Sequence, residues 1–538
     1  MRLNGIFKDN MVFQQGREIR VFGVVDVIEG NSVDVCIKNG SEVLTQGSTH
    51  EIYDDGFFFV VMPELDYGGP YTLEVRANAD SADAQVTINE VYIGEVWIAG
   101  GQSNMEYPLG RSEFASRVVT GCPETNLHYY FVPVADRYDD AQREAEINSK
   151  WVRINKDTCY DMSAVAFYFA RRIEEYLAQN KPEVSEVHVG IIGCFWGGTS
   201  IACWQSVESL ESTEAGRKFL SDFEDDYAEF LSEGEYLKEL YEYKETAKTY
   251  EHKVQEILKD NPYKSYFDVE QQIGAGPWPP PVGPESERRP GALFEAMVLR
   301  LVPFNIKGVI FYQGEEDADR HCNDYAEVFK SLIDEWREIF WDENLPFVFC
   351  QLPMYTTRDR KYMGYDDMKW PKLRAQQQLV ANTVHDTYMA VLSDCGEFDN
   401  VHPVDKKTPG ERLATLALRF VYGFEELPAI APYVIDVRRG DGVEVSFSGD
   451  FTNLNLQSVY STDESGFELA GDDKEFYPAD AAVDFDGKTV LVSCKNVAEP
   501  CYVRYAFFSY GSANLISDTG LAAAPFEASL DRSISNYY

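Results

Sequence analysis

Five nearly continuous apolar runs constrain this chain most. They read "EVWIAGG", "EVHVGIIG", "IKGVIFY", "LPFVFCQL" and "DTYMAVLSD", and none shows the strict alternation of a sheet with one wet face. Strands of this kind are buried on both faces, the habit of a parallel sheet covered by helices. Helical periodicity fills the intervals. "SAVAFYFARRIEEYLAQ" has a serine placed to cap it, "YAEVFKSLIDEWREIF" keeps the same period, and "PGERLATLALRFVYG" carries Pro near its start. Strands alternating with helices predict an α/β domain with a doubly wound, mainly parallel sheet, beginning near residue 91. The runs are strand-sized, far short of the roughly 20 residues that span a bilayer.

A chain of 538 residues exceeds what one hydrophobic core organises, and the pattern changes on both sides of the α/β region. Residues 1–90 read as an N-terminal β-sandwich-like module. There "EIRVFGVV", "NSVDVCIKN", "GFFFVVMP" and "PYTLEVRA" are short, Val- and Phe-rich, and separated by turn formers such as "YDDG". The α/β domain is expected over 91–207 and 291–428, interrupted at 208–290 by a helical insertion and a Pro-rich loop. In the insertion Phe219, Phe223, Tyr227 and Phe230 share one helical face opposite acidic residues, which fits a packed subdomain better than a partner surface. "GAGPWPPPVGPESERRPG" cannot be regular structure, because Pro279, Pro280 and Pro281 lack N–H donors. It reads equally as a linker or as a loop bordering a site, with Trp278 as a stacking surface. Residues 429–538 return to short strands, a C-terminal β module.

The 90 acidic and 48 basic residues leave a net charge of −42. Such a field repels nucleic acid and anionic membranes, so neither is expected as a partner; self-association stays open. The N-terminus "MRLNGIFKDNMVF" lacks the basic, apolar and small-residue segments of an export signal, and a cytoplasmic protein is the expectation. Ten cysteines are scattered without a CxxC pair. In that compartment they predict reduced thiols rather than a Cys194–Cys203 or Cys494–Cys501 bridge. No Cys and His spacing fits a zinc site.

In an open α/β sheet reactive groups gather at the carboxyl ends of the strands, and four polar clusters sit there. Ser103 follows "EVWIAGG" in a trio with Gln102 and Asn104. Gly197, Gly198 and Thr199 follow "VGIIGCFW"; Gln313 and Glu315 follow "KGVIFY"; Asp394, Asp399 and His402 follow "YMAVLSD". A serine hydroxyl is a weak nucleophile that needs a base, usually His held by a carboxylate. Of seven histidines, only His402 lies in a loop after a strand with a carboxylate three residues earlier, in "DNVHP". Asp399 can hold the far imidazole nitrogen from that position, and Asp394 competes for the role. Ser103 could instead cap the helix after it, and Glu315 could satisfy buried backbone.

The ordered motif set resembles the SGNH hydrolases, and more closely the sialate O-acetylesterase family of carbohydrate esterases. "GEVWIAGGQSNM" is similar to the nucleophile block. "GCFWGGTSIACW", "IKGVIFYQGEEDA", "LPFVFCQLP" and "DCGEFDNVHPVDKKTPGERLA" follow in order, with flanking matches from "DNMVFQQG" to "NLISDTGLAAAPF". The resemblance implies an SGNH-hydrolase-like fold and a serine esterase that removes O-acetyl groups from an acetylated carbohydrate. It implies no metal and no organic cofactor. Residue by residue, it implies Ser103 as nucleophile, His402 as general base and Asp399 as orienting acid. The oxyanion donors would be the Ser103 N–H, the Gly197 N–H and the Gln313 side-chain amide. Asn104, Trp196, Glu315 and Arg374 would contact substrate.

The sequence departs from the family at Phe311, where Trp is common, and at Glu316, where a small residue is usual. Phe294-Glu295 stands where Tyr-Asn is usual. The added negative charge weighs against a sialic acid, whose carboxylate wants Arg or Lys; Arg374, in "KLRAQQQ", is the motif-linked candidate for it. Acetylated xylo- or manno-oligosaccharides are the alternative substrates. A catalytically silent carbohydrate-binding protein is the alternative class, although it would not need Ser103 and His402.

Overall fold

The structure is a computed structural model that describes residues 1–27, 31–78, 85–181, 184, 186–230, 232–362, 364, 366–457 and 465–532. The chain divides into two compact units, Met1–Phe311 with Ser331–Phe347, and Tyr312–Lys330 with Val348–Tyr538.

In the first unit, alternating burial builds the N-terminal β layers. Ile19–Val24 lies between Arg2–Leu3 and Phe57–Met62, all antiparallel. Val33–Asn39 pairs with Glu42–Thr49 and with Gly68–Ala77. Val33, Val35, Ile37, Leu73 and Val75 are buried while their neighbours along the strands are less so, the two-residue period of a one-faced sheet. Gly47 abuts Val60 and Met62, so the two sheets pack face to face.

The strand Gln85–Gly101 belongs to both layers. Its first half pairs antiparallel with Gly68–Ala77. Its last seven residues pair in parallel with Val189–Phe195, Glu95 opposite Val189 and Gly101 opposite Phe195. Val189–Phe195 also pairs in parallel with Leu127–Phe131, whose other edge takes Trp151–Arg153 antiparallel. The class is therefore α/β with a mixed sheet, parallel where Gln85–Gly101, Val189–Phe195 and Leu127–Phe131 pair and antiparallel at the Trp151–Arg153 edge. The three-residue strand at that edge is too short to carry a readable period. Every residue from 91 to 101 and from 189 to 195 is buried. The helix Ala164–Asn180 is capped by Ser163, whose hydroxyl accepts from the Ala166 N–H at 3.2 Å. It covers the sheet through Phe169, edge-on to Trp97 with centroids 5.0 Å apart.

Three helices, Glu214–Ala228, Glu233–Asp260 and Tyr266–Ile273, make up most of the insertion. Tyr227 and Phe230 meet Tyr236 edge to face, with centroids 5.5 and 5.3 Å apart. That part of the aromatic stripe packs inside the insertion itself.

The second unit holds Thr387–Ala390 and the helices Lys369–Thr383 and Lys407–Phe420. Its C-terminal part has two four-stranded sheets. One runs Tyr433–Arg439, Val443–Ser448, Thr489–Ser493, Asp480–Val483; the other runs Phe476–Pro478, Phe467–Ala470, Tyr502–Tyr505, Phe526–Ser529. Val445, Phe447, Leu469, Val490, Val503, Tyr505 and Phe526 form a common core for them. All ten cysteines are free thiols. No helix among the described residues is long and apolar enough to cross a membrane.

Candidate functional site

In the first unit the candidate residues stand where two parallel strands end side by side. Gly101 has a φ of +129°, which side-chain-bearing residues rarely adopt. There the chain turns into the one-turn helix Ser103–Glu106. Its N-cap is Gln102, whose carbonyl accepts from the N–H groups of Met105 and Glu106 at 2.9 Å each. Ser103 is thus the first helical residue, not the cap. It is partly exposed, whereas Gln102 and Asn104 beside it are buried. Burial of Asn104 puts it under the turn, as a brace, rather than on an accessible surface.

Glu106 lies one turn beyond Ser103, on the same helix face. The Gly197 N–H donates to Glu106 Oε2 at 2.7 Å. A Cβ at Gly197 would come within 3.1 Å of that oxygen and 3.2 Å of Ser103 Cβ. Ser103, Glu106 and Gly197 therefore converge on one spot. Glu106 is open to solvent on one side and crowded on the others. Desolvation raises its carboxyl above the ordinary carboxylate value, with the Gly197 amide partly opposing. Gly198 follows with φ +69°, and a Cβ there would lie 1.9 Å from Trp278; the indole fills the place of a side chain. Thr199 closes the turn, donating to the Trp196 carbonyl at 2.7 Å and accepting from Trp204 Nε1 at 3.0 Å. Trp196 is partly exposed.

In the second unit Gln313 is buried and its amide orientation is set. Its Oε1 accepts from the Tyr325 hydroxyl at 2.7 Å, and its Nε2 donates to Asp317 at 2.6 Å. An amide nitrogen carries two N–H groups, and one of Gln313's is given to Asp317. His402 sits in a loop tied by Glu397, whose carboxylate accepts from Asn400 Nδ2 and from the Val404 N–H at 2.7 Å each. Burial pushes the His402 imidazole down to about 3, and the Lys406 charge adds to that. Lys406 is fully buried and donates to the Pro403 carbonyl. Burial lowers its ammonium to about 8, while Glu315 is the largest influence holding it up.

Three site candidates read from the sequence are held by partners of their own in the structure. Both carboxylates weighed as the orienting acid bind arginine. Asp399, with φ +60°, accepts from the Arg358 N–H at 2.8 Å and faces Arg358 Nε at 3.2 Å. Asp394 chelates Arg412 at 2.6 and 2.7 Å. Arg374 is only 1% exposed and donates to the carbonyls of Ala506 and Phe508. Burial lowers its guanidinium to about 9, and it braces backbone instead of facing a substrate. Sequence reasoning also passed over Glu106 and Lys406. For Glu106 the signal was helical spacing, three residues after Ser103; Lys406 lies in the loop just before the helix Lys407–Phe420, where no periodicity marks it.

Residues 285–419 match the family described as carbohydrate esterase, sialic acid-specific acetylesterase. That stretch contains Gln313, Glu315, Arg374, Asp399 and His402. The chain is 23% identical over 462 residues to a sialate O-acetylesterase of Mus musculus, covering 82% of this chain and 77% of that one. It is 22% identical over 451 residues to a sialate O-acetylesterase of Homo sapiens, covering 80% and 73%. The crystal structure of a carbohydrate acetylesterase from Xanthomonas citri resembles it with a TM-score of 0.72 at 24% identity, over 98% of this chain and 99% of that one; that likeness concerns the fold. The resemblance to the sialate O-acetylesterase family expected from the motifs is borne out.

Proposed function

We propose that this chain is a serine esterase that removes O-acetyl groups from a carbohydrate through an acetyl-enzyme intermediate. The reading includes an SGNH-hydrolase-type core with the five-segment division given above, acting in the cytoplasm. Ser103 is the nucleophile and His402 the general base. The Ser103 hydroxyl attacks the acetyl carbonyl carbon while its proton passes to His402. The resulting oxyanion is held by the N–H groups of Ser103 and Gly197 and by the Gln313 amide. Collapse expels the sugar hydroxyl, which regains the proton from His402, and leaves acetyl-Ser103. Water activated by His402 repeats the sequence and releases acetate.

The observation that carries this reading is the convergence of Ser103 and Gly197 at neighbouring strand ends, which suits a nucleophile beside an amide donor. Asp399 is the proposed orienting acid by its spacing, and in that role it would release Arg358. One observation favours acetylated oligosaccharides of neutral sugars over O-acetylated sialic acid: Arg374, the cation tied to the motifs, is buried.

The test is acetate release from 4-nitrophenyl acetate, O-acetylated sialic acid and acetylated xylo- and manno-oligosaccharides, for wild type and Ser103→Ala. A loss of at least about 10³-fold in the variant is expected, given what nucleophile removal costs such enzymes. Equal rates in the two proteins would overturn the assignment.

A further inference from the structure

The helical insertion has no part in the chemistry just described, yet it delivers one residue to it. Trp278 lies in the Pro-rich loop, 56% exposed, with the benzo end of its indole against Gly198. A Cβ at Gly198 would stand 1.9 Å from Trp278 Cη2. Gly198 adjoins Gly197, which in turn abuts Ser103. An exposed tryptophan costs solvation, and this one is held in place by long-range contacts. The helix Glu233–Asp260 presents three tyrosines seven residues apart, two helical turns each time. Tyr250 donates to the Gly274 carbonyl at 2.9 Å and Tyr243 to the Pro277 carbonyl at 3.2 Å, both before the tryptophan. Tyr236 accepts from the Glu285 N–H at 3.2 Å, after it. The loop is thus pinned on both sides of Trp278 by one stripe of a single helix. The Arg288 guanidinium lies 5.2 Å from the indole centroid, which stiffens the ring further.

We propose that Trp278 is the platform on which the sugar ring of the substrate stacks, and that the insertion exists to hold it beside the Gly197–Gly198 turn. Aromatic rings bind the C–H faces of pyranoses through dispersion and weak C–H contacts. An indole is the largest such surface, and its position next to Gly198 sets the sugar's distance from Ser103. The ligand class is therefore an acetylated pyranoside rather than a small aliphatic acetate. The inference rests on the esterase reading for its chemistry, and on the insertion's own contacts for its geometry.

The test compares kcat/KM for acetylated xylo-oligosaccharides with that for 4-nitrophenyl acetate, which has no sugar, in wild type, Trp278→Ala and Trp278→Phe. The sugar-over-aryl ratio falls roughly tenfold in Trp278→Ala, chiefly through KM, and recovers in large part in Trp278→Phe. An unchanged ratio in Trp278→Ala overturns the proposal. Calorimetric titration of Ser103→Ala and Ser103→Ala/Trp278→Ala with the same oligosaccharides reads the platform without turnover. Weaker binding in the double variant supports the platform even if wild type releases no acetate, the outcome that sinks the esterase reading alone. Equal binding of the two proteins overturns the platform whatever the activity.

Discussion

The Gly197 amide is proposed to stabilise the oxyanion, yet in the structure it is already given to Glu106 at 2.7 Å. Two anionic oxygens repel each other, and one N–H cannot serve both at full strength. An acetyl group entering the site must therefore take that donor from the carboxylate. A hydrogen bond to a charged group contributes about 1.5–3 kcal/mol, while an oxyanion donor is worth about 2.7–4 kcal/mol of barrier. The competitor thus cancels a large part of what the donor offers. The carboxylate is open to water on one side, so solvent restores some of its lost hydrogen bonding when it moves. The net cost then falls near the lower figure, about 1.5 kcal/mol, which is roughly tenfold in rate. Glu106→Ala should accordingly raise kcat/KM for 4-nitrophenyl acetate about tenfold at pH 7. Glu106→Gln, a weaker neutral acceptor, should fall between the variant and wild type. Initial rates well below KM read the parameter directly, a thermal melt checks that the fold persists, and Ser103→Ala/Glu106→Ala should be silent. If Glu106→Ala is tenfold slower with an unchanged Tm, the carboxylate is a working part of the site and the competition argument is wrong.

Four further outcomes are expected. His402 is depressed to about 3, so it stays neutral and active until the pH falls far below the ordinary imidazole value of about 6.5. Lys406→Met removes a cation that helps keep it there, and the acid limb of kcat/KM should move to higher pH; a shift downward would contradict this. Asp399→Asn should lower kcat at least about 10²-fold with little change in KM, and an equal loss in Arg358→Ala would mean that the ion pair, not the orienting role, matters. Arg374→Ala leaves the Ala506 and Phe508 carbonyls without their buried donor, so stability in urea should drop by about 3 kcal/mol with KM preserved; a selective rise in KM would return Arg374 to the substrate. His128 and His188 are buried against each other, Nε2 to Nδ1 at 2.9 Å, and burial lowers both imidazoles. Their folded pKa values lie below the unfolded value, so below about pH 6.5 the unfolded chain takes up protons that the folded one refuses. Tm should fall from pH 7 to pH 5, and less steeply in His188→Gln; parallel curves would exclude the pair as the cause.

Local pattern carried much of the architecture. The apolar runs that end at Gly101, Phe195 and Tyr312 lie in strands, and Ser163 caps the helix its position suggested. The turn holding Ser103 could be read because glycines and a polar trio follow a buried run, a signal confined to a few neighbouring residues. What remained hidden depends on groups far apart in the chain. The Gly197 amide meets Glu106 only because two parallel strands stop in register, 91 residues apart in sequence. Asp399 turns to Arg358 across 41 residues, so a D-x-x-H spacing could not say which cation or imidazole it would hold. Arg374 looked accessible because charged residues usually are, but the carbonyls of Ala506 and Phe508 lie more than 130 residues away. Trp278 was ambiguous for the same reason, since the tyrosine stripe and Gly198 that fix it are remote. Hydrophobic period is a local property and survives in the sequence; the partner of a hydrogen-bonding group is chosen by packing, and only the folded chain decides it.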